Sequence, residues 1–176
     1  MEKKVSSELI YKSNFIELYK DIVECDNGNL ASREYVKKCS AAVVIAVLPN
    51  GNFLMEKQFR YPYHDYMIEF PAGKCDPNED PLETAKRELE EETGYIAQNM
   101  EYLGKLYPSC AYVDEVIHCY LATNLIKGSQ HLDENESLEV FEISKENLEI
   151  MIKEGKIPDA KTLVTFLYYK ECKKDN

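Results

Sequence analysis

The chain has 176 residues, of which 44% are apolar and 30% charged, a composition that predicts one folded domain with at most a small extension. Its formal net charge of −11 excludes a general binder of nucleic acids or anionic membranes, because such proteins need basic surface to displace counterions. An acidic enzyme that acts on an anionic substrate needs a cation between the two. The charge is therefore typical either of an ordinary acidic protein or of one that uses divalent metal ions.

The six cysteines are scattered along the chain without C-x-x-C spacing. They predict neither a zinc site nor a dithiol redox motif. Residues 1–20 lack the pattern of a secretory leader, and the longest apolar run, residues 41–48, is too short to span a bilayer. We therefore expect a cytoplasmic protein with reduced thiols.

The first predicted elements, between Glu8 and Lys38, form an antiparallel β extension. Residues 15–25 and 30–36 alternate loosely around an Asp-Asn-Gly-Asn turn, which favours a hairpin. The apolar run 41–48 predicts a strand buried on both faces, and residues 53–59 return from it after a second turn. The extension is therefore expected to precede a central sheet.

Residues 67–70 predict a short strand that stops at Pro71. The segment 81–93 has the strongest helix pattern, with Asp80 as the N-cap and Gly94 after the last turn. Further strands are predicted at 101–106, 115–122 and 138–143, and further helices at 145–154 and 160–172. This order predicts an α/β (α+β) fold, a sandwich in which helices cover a mixed sheet.

The predicted helix 81–93 carries three glutamates on one face. Glu88, Glu91 and Glu92 stand at i, i+3 and i+4, a spacing at which like charges repel. Divalent cations such as Mg²⁺ or Mn²⁺ would compensate them and could bridge to phosphate oxygens. Arg87, four residues before Glu91, could orient that carboxylate. A solvated charged helix face is the alternative for such a run taken alone.

The segment from Gly73 to Tyr95 resembles the signature box of the Nudix hydrolases. Leu89 and Tyr95 fill its two apolar positions, and its fixed positions are matched by Gly73, Glu79, Arg87, Glu88, Glu91, Glu92 and Gly94. The resemblance implies an α/β/α sandwich and hydrolysis of a nucleoside diphosphate linked to another group.

The same resemblance implies roles for individual residues. Mg²⁺ or Mn²⁺ would be held by Glu88, Glu91, Glu92 and the main-chain carbonyl of Ala72. Glu92 and Arg87 would also take part in catalysis, and Glu79 and Arg87 would be structural partners within the box. Gly73 would permit the turn at the start of the box, and Gly94 would end its helix.

Segments outside the box resemble the ADP-ribose pyrophosphatase branch of the family: 56–62 with 68–73, 109–115, and 132–140. Arg60 is either a cation for the diphosphate or part of a surface salt bridge. Glu69 either accepts a hydrogen bond from ribose or adenine or is a charge at the sheet edge. In this branch a loop glutamate acts as general base; Glu136 has the matching place, Glu134 is the other candidate, and a solvated acidic loop is the alternative for both.

Cys110 departs from the branch, which commonly has a proline at this position. GDP-mannose and ADP-glucose therefore remain alternative substrates to ADP-ribose. Hydrolysis of oxidised nucleoside triphosphates would be a third enzymatic function, and a non-catalytic nucleotide sensor is the alternative to an enzyme.

We divide the chain into residues 1–39, a β extension, and 40–176, the hydrolase domain. The resemblance implies a homodimer formed through the N-terminal strands, whose exposed edges need a partner.

Overall fold

The structure is a computed structural model that describes residues 1–132, 134 and 137–173. Ten strands, three α-helices and one short 3₁₀ helix, Tyr61–Tyr63, are found in this part of the chain. The helices are α1 (Pro81–Thr93), α2 (Lys145–Lys153) and α3 (Ala160–Cys172). The strands are β1 (Lys3–Lys12), β2 (Glu17–Glu24), β3 (Leu30–Lys37), β4 (Ala41–Val47), β5 (Phe53–Arg60), β6 (Asp65–Glu69), β7 (Ala72–Lys74), β8 (Tyr95–Leu106), β9 (Ile117–Lys127) and β10 (Leu138–Ile143).

The chain forms two compact units. The first comprises Met1–Cys39 and Tyr107–Val116. The second of these segments is not part of the extension assigned from the sequence. Its sheet has the antiparallel order β1-β2-β3, and the rings of Tyr19 and Tyr35 stack across β2 and β3 with their centroids 5.6 Å apart. An antiparallel extension was expected, but β1 was largely missed, because it begins five residues before Glu8.

The second unit contains Ser40–Leu106 and the chain from Ile117 onward. Its central strands have the order β10-β5-β4-β9-β8, while β6 pairs with β5 and β7 with β4. The pair β4–β9 is parallel and the other pairs are antiparallel. The predicted mixed sheet is confirmed.

Helices cover both faces of this sheet. The side chains of β4 alternate, so that Val43 and Ile45 join one apolar cluster while Ala42, Val44 and Ala46 join the other. The first cluster includes Phe166 of α3 and Leu148 of α2, and the second includes Ala85 and Leu89 of α1. Each fully buried Leu or Phe contributes roughly 1.5–3 kcal/mol through its removal from water. The result is the three-layered α/β/α arrangement.

The hairpin of β4 and β5 separates shortly after its turn. The two strands pair only at Ala46–Leu54 and Val47–Phe53. Beyond these pairs β4 takes β7 as its neighbour, whereas β5 takes β6. The split brings the inward-facing residues of β5 and β6 next to the strand that leads into α1. Glu56, Arg60 and Glu69 lie on the two strands that flank this split, β5 and β6, whereas Glu88, Glu91 and Glu92 lie on α1.

Local sequence accounts for the helix bounds. Asp80 accepts a hydrogen bond from the amide of Leu82, Pro81 occupies the first helical position, and Gly94 ends α1 with φ of 71°. The bounds of α1 and α3, the N-caps of all three helices and the C-cap of α1 are as predicted. Within the described residues, none of the helices is both long enough and apolar enough to cross a membrane.

Candidate active site

The carboxylate of Glu92 is tied to the strand before the helix. Glu92 is only 3% exposed, and its Oε2 accepts a 2.9 Å hydrogen bond from the main-chain amide of Ala72. Ala72 is held in place because β7 pairs with β4, with Ala72 opposite Val43. The last turn of α1 and the start of the box segment therefore meet at a defined point.

Gly73 makes room for a second carboxylate. A Cβ atom placed on Gly73 would lie 1.9 Å from both Cδ and Oε1 of Glu88, so this carboxylate rests directly on the glycine backbone. The φ of Gly73 is not positive, and the residue lies in β7. The glycine is thus required by the close approach of Glu88 and not by a left-handed turn, which corrects the reason expected from the sequence.

Arg87 connects the remaining box residues. Its Nη1 donates 2.9 Å hydrogen bonds to Oε1 of Glu88 and to Oε2 of Glu91. Its Nε and Nη2 donate to the two oxygens of Glu79 at 3.0 and 3.1 Å, and Nη2 also donates to the Lys74 carbonyl. One planar guanidinium therefore orients three carboxylates and a backbone oxygen.

The hydrogen bonds of this network shift the pKa values of both Glu79 and Arg87. Hydrogen bonds from Arg87, and further ones from the Asp76 amide and the Thr84 hydroxyl, lower the pKa of Glu79 from 4.5 to about 2. The carboxylates in turn raise the pKa of Arg87, with Glu79 as the largest cause. The pair Glu79–Arg87 therefore remains ionised over the whole physiological range.

The donor set fits a hard divalent cation. Glu88, Glu91 and Glu92 present carboxylate oxygens, the ligands that Mg²⁺ and Mn²⁺ prefer, and Gly73 leaves space for one of them. As the side chains stand, no three His, Cys, Asp or Glu side chains of residues 1–132, 134 and 137–173 converge closely enough to hold an ion. Arg87 donates a hydrogen bond to one oxygen each of Glu88 and Glu91 in this arrangement.

A second group of charges lies at the split between β4 and β5. Glu56 of β5 is opposite Glu69 of β6, and both side chains are buried. Neither carboxylate oxygen of Glu56 has a hydrogen-bond partner among the described residues. Burial and the negative charge of Glu69 raise the pKa of Glu56 well above its usual range, and the positive charges of Lys161 and Arg60 offset part of this rise.

Glu69 has abundant partners. Arg60 donates to it through Nε and Nη2 at 2.8 and 2.7 Å, and the ammonium of Lys161 forms a further ion pair with Oε2. Burial alone would raise the pKa of Glu69, but the hydrogen bonds and charges of Arg60 and Lys161 outweigh it and lower that pKa. Glu69 is thus neither a charge at an exposed sheet edge nor an acceptor that solvent or a ribose hydroxyl can readily reach.

The sequence missed Glu56 and Lys161. Glu56 had a detectable signal, since it follows Leu54 on the inward face of a strand whose first residues, 53–55, are all apolar. Lys161 had none, because it is separated from Glu69 by 92 residues and only the packing of α3 brings it there. The two candidate loop glutamates differ in status: Glu134 is exposed, and Glu136 lies outside the described residues.

Comparison with known proteins agrees with this geometry. A protein-family model described as the NUDIX domain matches residues 37–166. The chain therefore belongs to the Nudix family. A solved structure described as an ADP compounds hydrolase superimposes with a TM-score of 0.89 over 99% of this chain and 95% of that one. Its sequence identity is 20%, so this likeness shows the shared fold alone.

Individual relatives cover nearly the whole chain. It is 39% identical to the ADP-ribose pyrophosphatase of Bacillus subtilis (strain 168) over 169 residues, which are 95% of this chain and 91% of the relative. It is 38% identical to the methanol dehydrogenase activator of Bacillus methanolicus, with the same coverage. The GDP-mannose pyrophosphatase of Yersinia enterocolitica is 33% identical, with 94% and 93% coverage. The similarity covers both units, so it is not limited to the box.

Proposed function

We propose that this protein hydrolyses the diphosphate linkage of ADP-ribose to AMP and ribose 5-phosphate, with Mg²⁺ or Mn²⁺ as cofactor. The observation that carries the proposal is the arrangement of the box carboxylates, with Glu92 on the Ala72 amide and Glu88 over Gly73. ADP-ribose is preferred among substrates because the pyrophosphatase relative for this compound is the more similar of the two pyrophosphatases compared over nearly full length.

The proposed cation site consists of Glu88, Glu91, Glu92 and the main-chain carbonyl of Ala72. When bound there, the cation would neutralise the diphosphate and polarise a phosphorus towards attack. Glu79 holds Arg87, and Arg87 holds Glu88 and Glu91 in reach of the site. Gly94 ends the helix directly after these residues.

The remaining residues act on the substrate and on water. The outward edge of the Arg60 guanidinium binds a diphosphate oxygen, while Glu69, expected from the sequence to contact the ribose, instead orients Arg60. Glu136, with Glu134 as the alternative, accepts a proton from the attacking water. The water oxygen joins one phosphorus, the bridging oxygen leaves with the other, and the protons pass to the base and to solvent.

The test is release of AMP from ADP-ribose, GDP-mannose, ADP-glucose, dinucleotides and 8-oxo-dGTP, with Mg²⁺ and with EDTA. We expect metal-dependent turnover, highest for ADP-ribose. A higher kcat/KM for GDP-mannose or ADP-glucose would keep the chemistry and change the substrate. A failure to hydrolyse any of them with Mg²⁺ or Mn²⁺ would reject the enzymatic proposal.

A second candidate function is regulation of another enzyme. It is favoured by the relative named as a methanol dehydrogenase activator, which at 38% identity is nearly as similar as the ADP-ribose pyrophosphatase at 39%. Binding of ADP-ribose without turnover by the wild-type protein would favour this function. Retention of three mutually repelling box carboxylates favours hydrolysis, because a pure binder has no use for them.

The N-terminal extension, residues 1–39, is proposed to form a homodimer. All ten residues of β1 are exposed, among them Val5, Leu9, Ile10 and Tyr11, and β1 is the edge of its sheet. An exposed edge strand with apolar side chains tends to pair with another chain. Light scattering after gel filtration should give a dimer for the full chain and a monomer after removal of residues 1–12.

We also propose a cytoplasmic location, because the scattered cysteines do not have the spacing of a disulfide framework.

A further inference from the structure

We propose that Lys161 is a positioning residue for substrate binding: it fixes Glu69 so that Arg60 presents its outward edge to the diphosphate. The inference rests on the proposed function and adds a residue of α3 that lies outside the box. Its basis is the ion-paired triad formed by Arg60, Glu69 and Lys161.

The geometry of Arg60 leaves one edge for a ligand. Nε and Nη2 are directed to the two oxygens of Glu69, a fork-to-fork pairing that defines the plane of the guanidinium. The opposite edge, formed by Nη1 and the second N–H of Nη2, then points away from Glu69. The Arg60 side chain is 36% exposed whereas that of Glu69 is 2% exposed, so the guanidinium lies between a buried carboxylate and solvent. This arrangement suits recognition of an anion that approaches from solvent.

Lys161 holds the buried end of the triad. Its side chain is only 15% exposed, and besides Glu69 it contacts Asp159 at 3.2 Å. Asp159 also caps α3 by accepting from the Thr162 amide. A lysine with these partners has few alternative conformations, so it fixes one oxygen of Glu69.

The first turn of α3 is also hydrogen-bonded to Phe70, the residue after Glu69. The hydroxyl of Thr162, which is fully buried, accepts a 3.0 Å hydrogen bond from the amide of Phe70. Phe166, one turn further along α3, packs in the core against Phe53. The helix therefore transmits the rigidity of the core to Glu69 and, through it, to Arg60.

Charge balance explains why Lys161 would affect Arg60 in particular. The buried Glu56 and Glu69 face each other, and Arg60 and Lys161 are the cations that act on both. Without Lys161, Arg60 would be the main counter-charge for the buried carboxylate of Glu69. Its guanidinium would then be drawn towards Glu69 and compete less well for the diphosphate. A loss at Lys161 should consequently weaken substrate binding more than the chemical step at α1.

The matched variants are Lys161→Met, Lys161→Arg and, as control, Lys170→Met. Lys170 is on the same helix and pairs with Glu149, away from the triad. We expect Lys161→Met to raise KM for ADP-ribose about tenfold with a smaller fall in kcat, because binding common to ground and transition state is lost. Lys161→Arg should restore part of the affinity, and Lys170→Met should leave KM unchanged.

A double-mutant cycle separates positioning from mere stabilisation. If Lys161 acts through Arg60, Lys161→Met should have little further effect on KM in an Arg60→Lys background. Independent effects that multiply in the double variant would overturn the proposal. So would a Lys161→Met protein that melts at a lower temperature yet keeps the wild-type KM.

Failure of the proposed function is distinguishable from failure of this inference. Calorimetric titration of ADP-ribose in EDTA measures binding without turnover. If the wild-type protein binds without hydrolysing, a weaker Kd in Lys161→Met still supports the triad, and an unchanged Kd rejects it. If the wild-type protein hydrolyses ADP-ribose and Lys161→Met has the same KM, only the inference fails. If the wild-type protein neither hydrolyses nor binds ADP-ribose, with or without Mg²⁺, both fail.

Discussion

The main-chain amide of Ala72 donates a 2.9 Å hydrogen bond to the carboxylate of Glu92, and this bond joins β7 to the last turn of α1. It places a buried negative charge beside the strand that carries Gly73 and Lys74. Because Glu88 lies over Gly73 and Arg87 reaches the Lys74 carbonyl, three successive residues of β7 each receive one residue of α1. These three contacts fix the position of α1 relative to β7.

Removal of the Glu92 charge should abolish most of the activity while the fold is kept. Glu92→Gln retains an oxygen that can accept from the Ala72 amide, so the contact with β7 survives. We expect kcat to fall at least about 100-fold, as for loss of a group that stabilises transition-state charge. Steady-state release of AMP measures it. Glu90→Gln, on the same helix, serves as control, and an active Glu92→Gln protein would contradict the assignment of this carboxylate.

Gly73→Ala should lower activity without lowering stability. The new Cβ would meet the flexible end of the Glu88 side chain, which can swing away, so the protein should fold with a nearly unchanged melting temperature. Glu88 would then leave its place over the strand, and both kcat and the affinity for Mn²⁺ should fall. Titration calorimetry with Mn²⁺ and circular dichroism measure the two quantities.

Gly155→Ala is the matched comparison for that variant. Gly155 has φ of 72° and open space around its Cα. Alanine there should cost about 1 kcal/mol through left-handed backbone strain while leaving turnover unchanged. The same pattern of effects in both alanine variants would mean that the proximity of Gly73 to Glu88 has no functional role.

Glu79→Gln should destabilise the protein in a pH-dependent manner. The pKa of Glu79 is lowered from 4.5 to about 2, so its ionised form stabilises the fold above pH 4.5, and this stabilisation is lost as the pH falls through about 2. We expect the variant to melt roughly 3 °C lower at pH 7 and the difference to shrink as the pH is lowered below 4.5. Glu83→Gln, which removes the exposed pair with Lys86 and an acidic group in the first turn of α1, should show a much smaller difference at every pH.

Glu56→Gln should stabilise the metal-free protein at alkaline pH. Burial and the charge of Glu69 raise the pKa of Glu56 from 4.5 to about 8. Between these two pKa values the folded state binds more protons than the unfolded state, so the free energy of unfolding falls as the pH rises from 4.5 through about 8. Glutamine removes this dependence, so the variant should melt higher than the wild type at pH 8.5 and close to it at pH 4.5. Thermal melts in EDTA test the sign, and a lower melting temperature at pH 8.5 would show that Glu56 is stabilised in its ionised form.

Much of the second unit followed from local sequence. The bounds of α1, α3 and β10 are as predicted, because Asp80, Pro81 and Gly94, or Asp159, mark the helix ends and β10 is a short run between polar segments. Local patterns failed for β7, which has three residues and is a strand only because β4 lies beside it. They also failed at β8, whose first six residues follow the helix directly and were not assigned to a strand.

The sequence by itself determined the box. Glu88, Glu91 and Glu92 share a helix face through a spacing that any α-helix imposes, and the helix is bounded by its own caps. Tertiary structure alone decided the second charged cluster, in which Arg60, Glu69 and Lys161 meet. Contacts within one helix depend on a period of a few residues, whereas a contact across 92 residues depends on how α3 packs on the sheet. For the same reason the pairing of Arg60 with Glu69, and the absence of a hydrogen-bond partner for Glu56 among the described residues, emerged only from the folded chain.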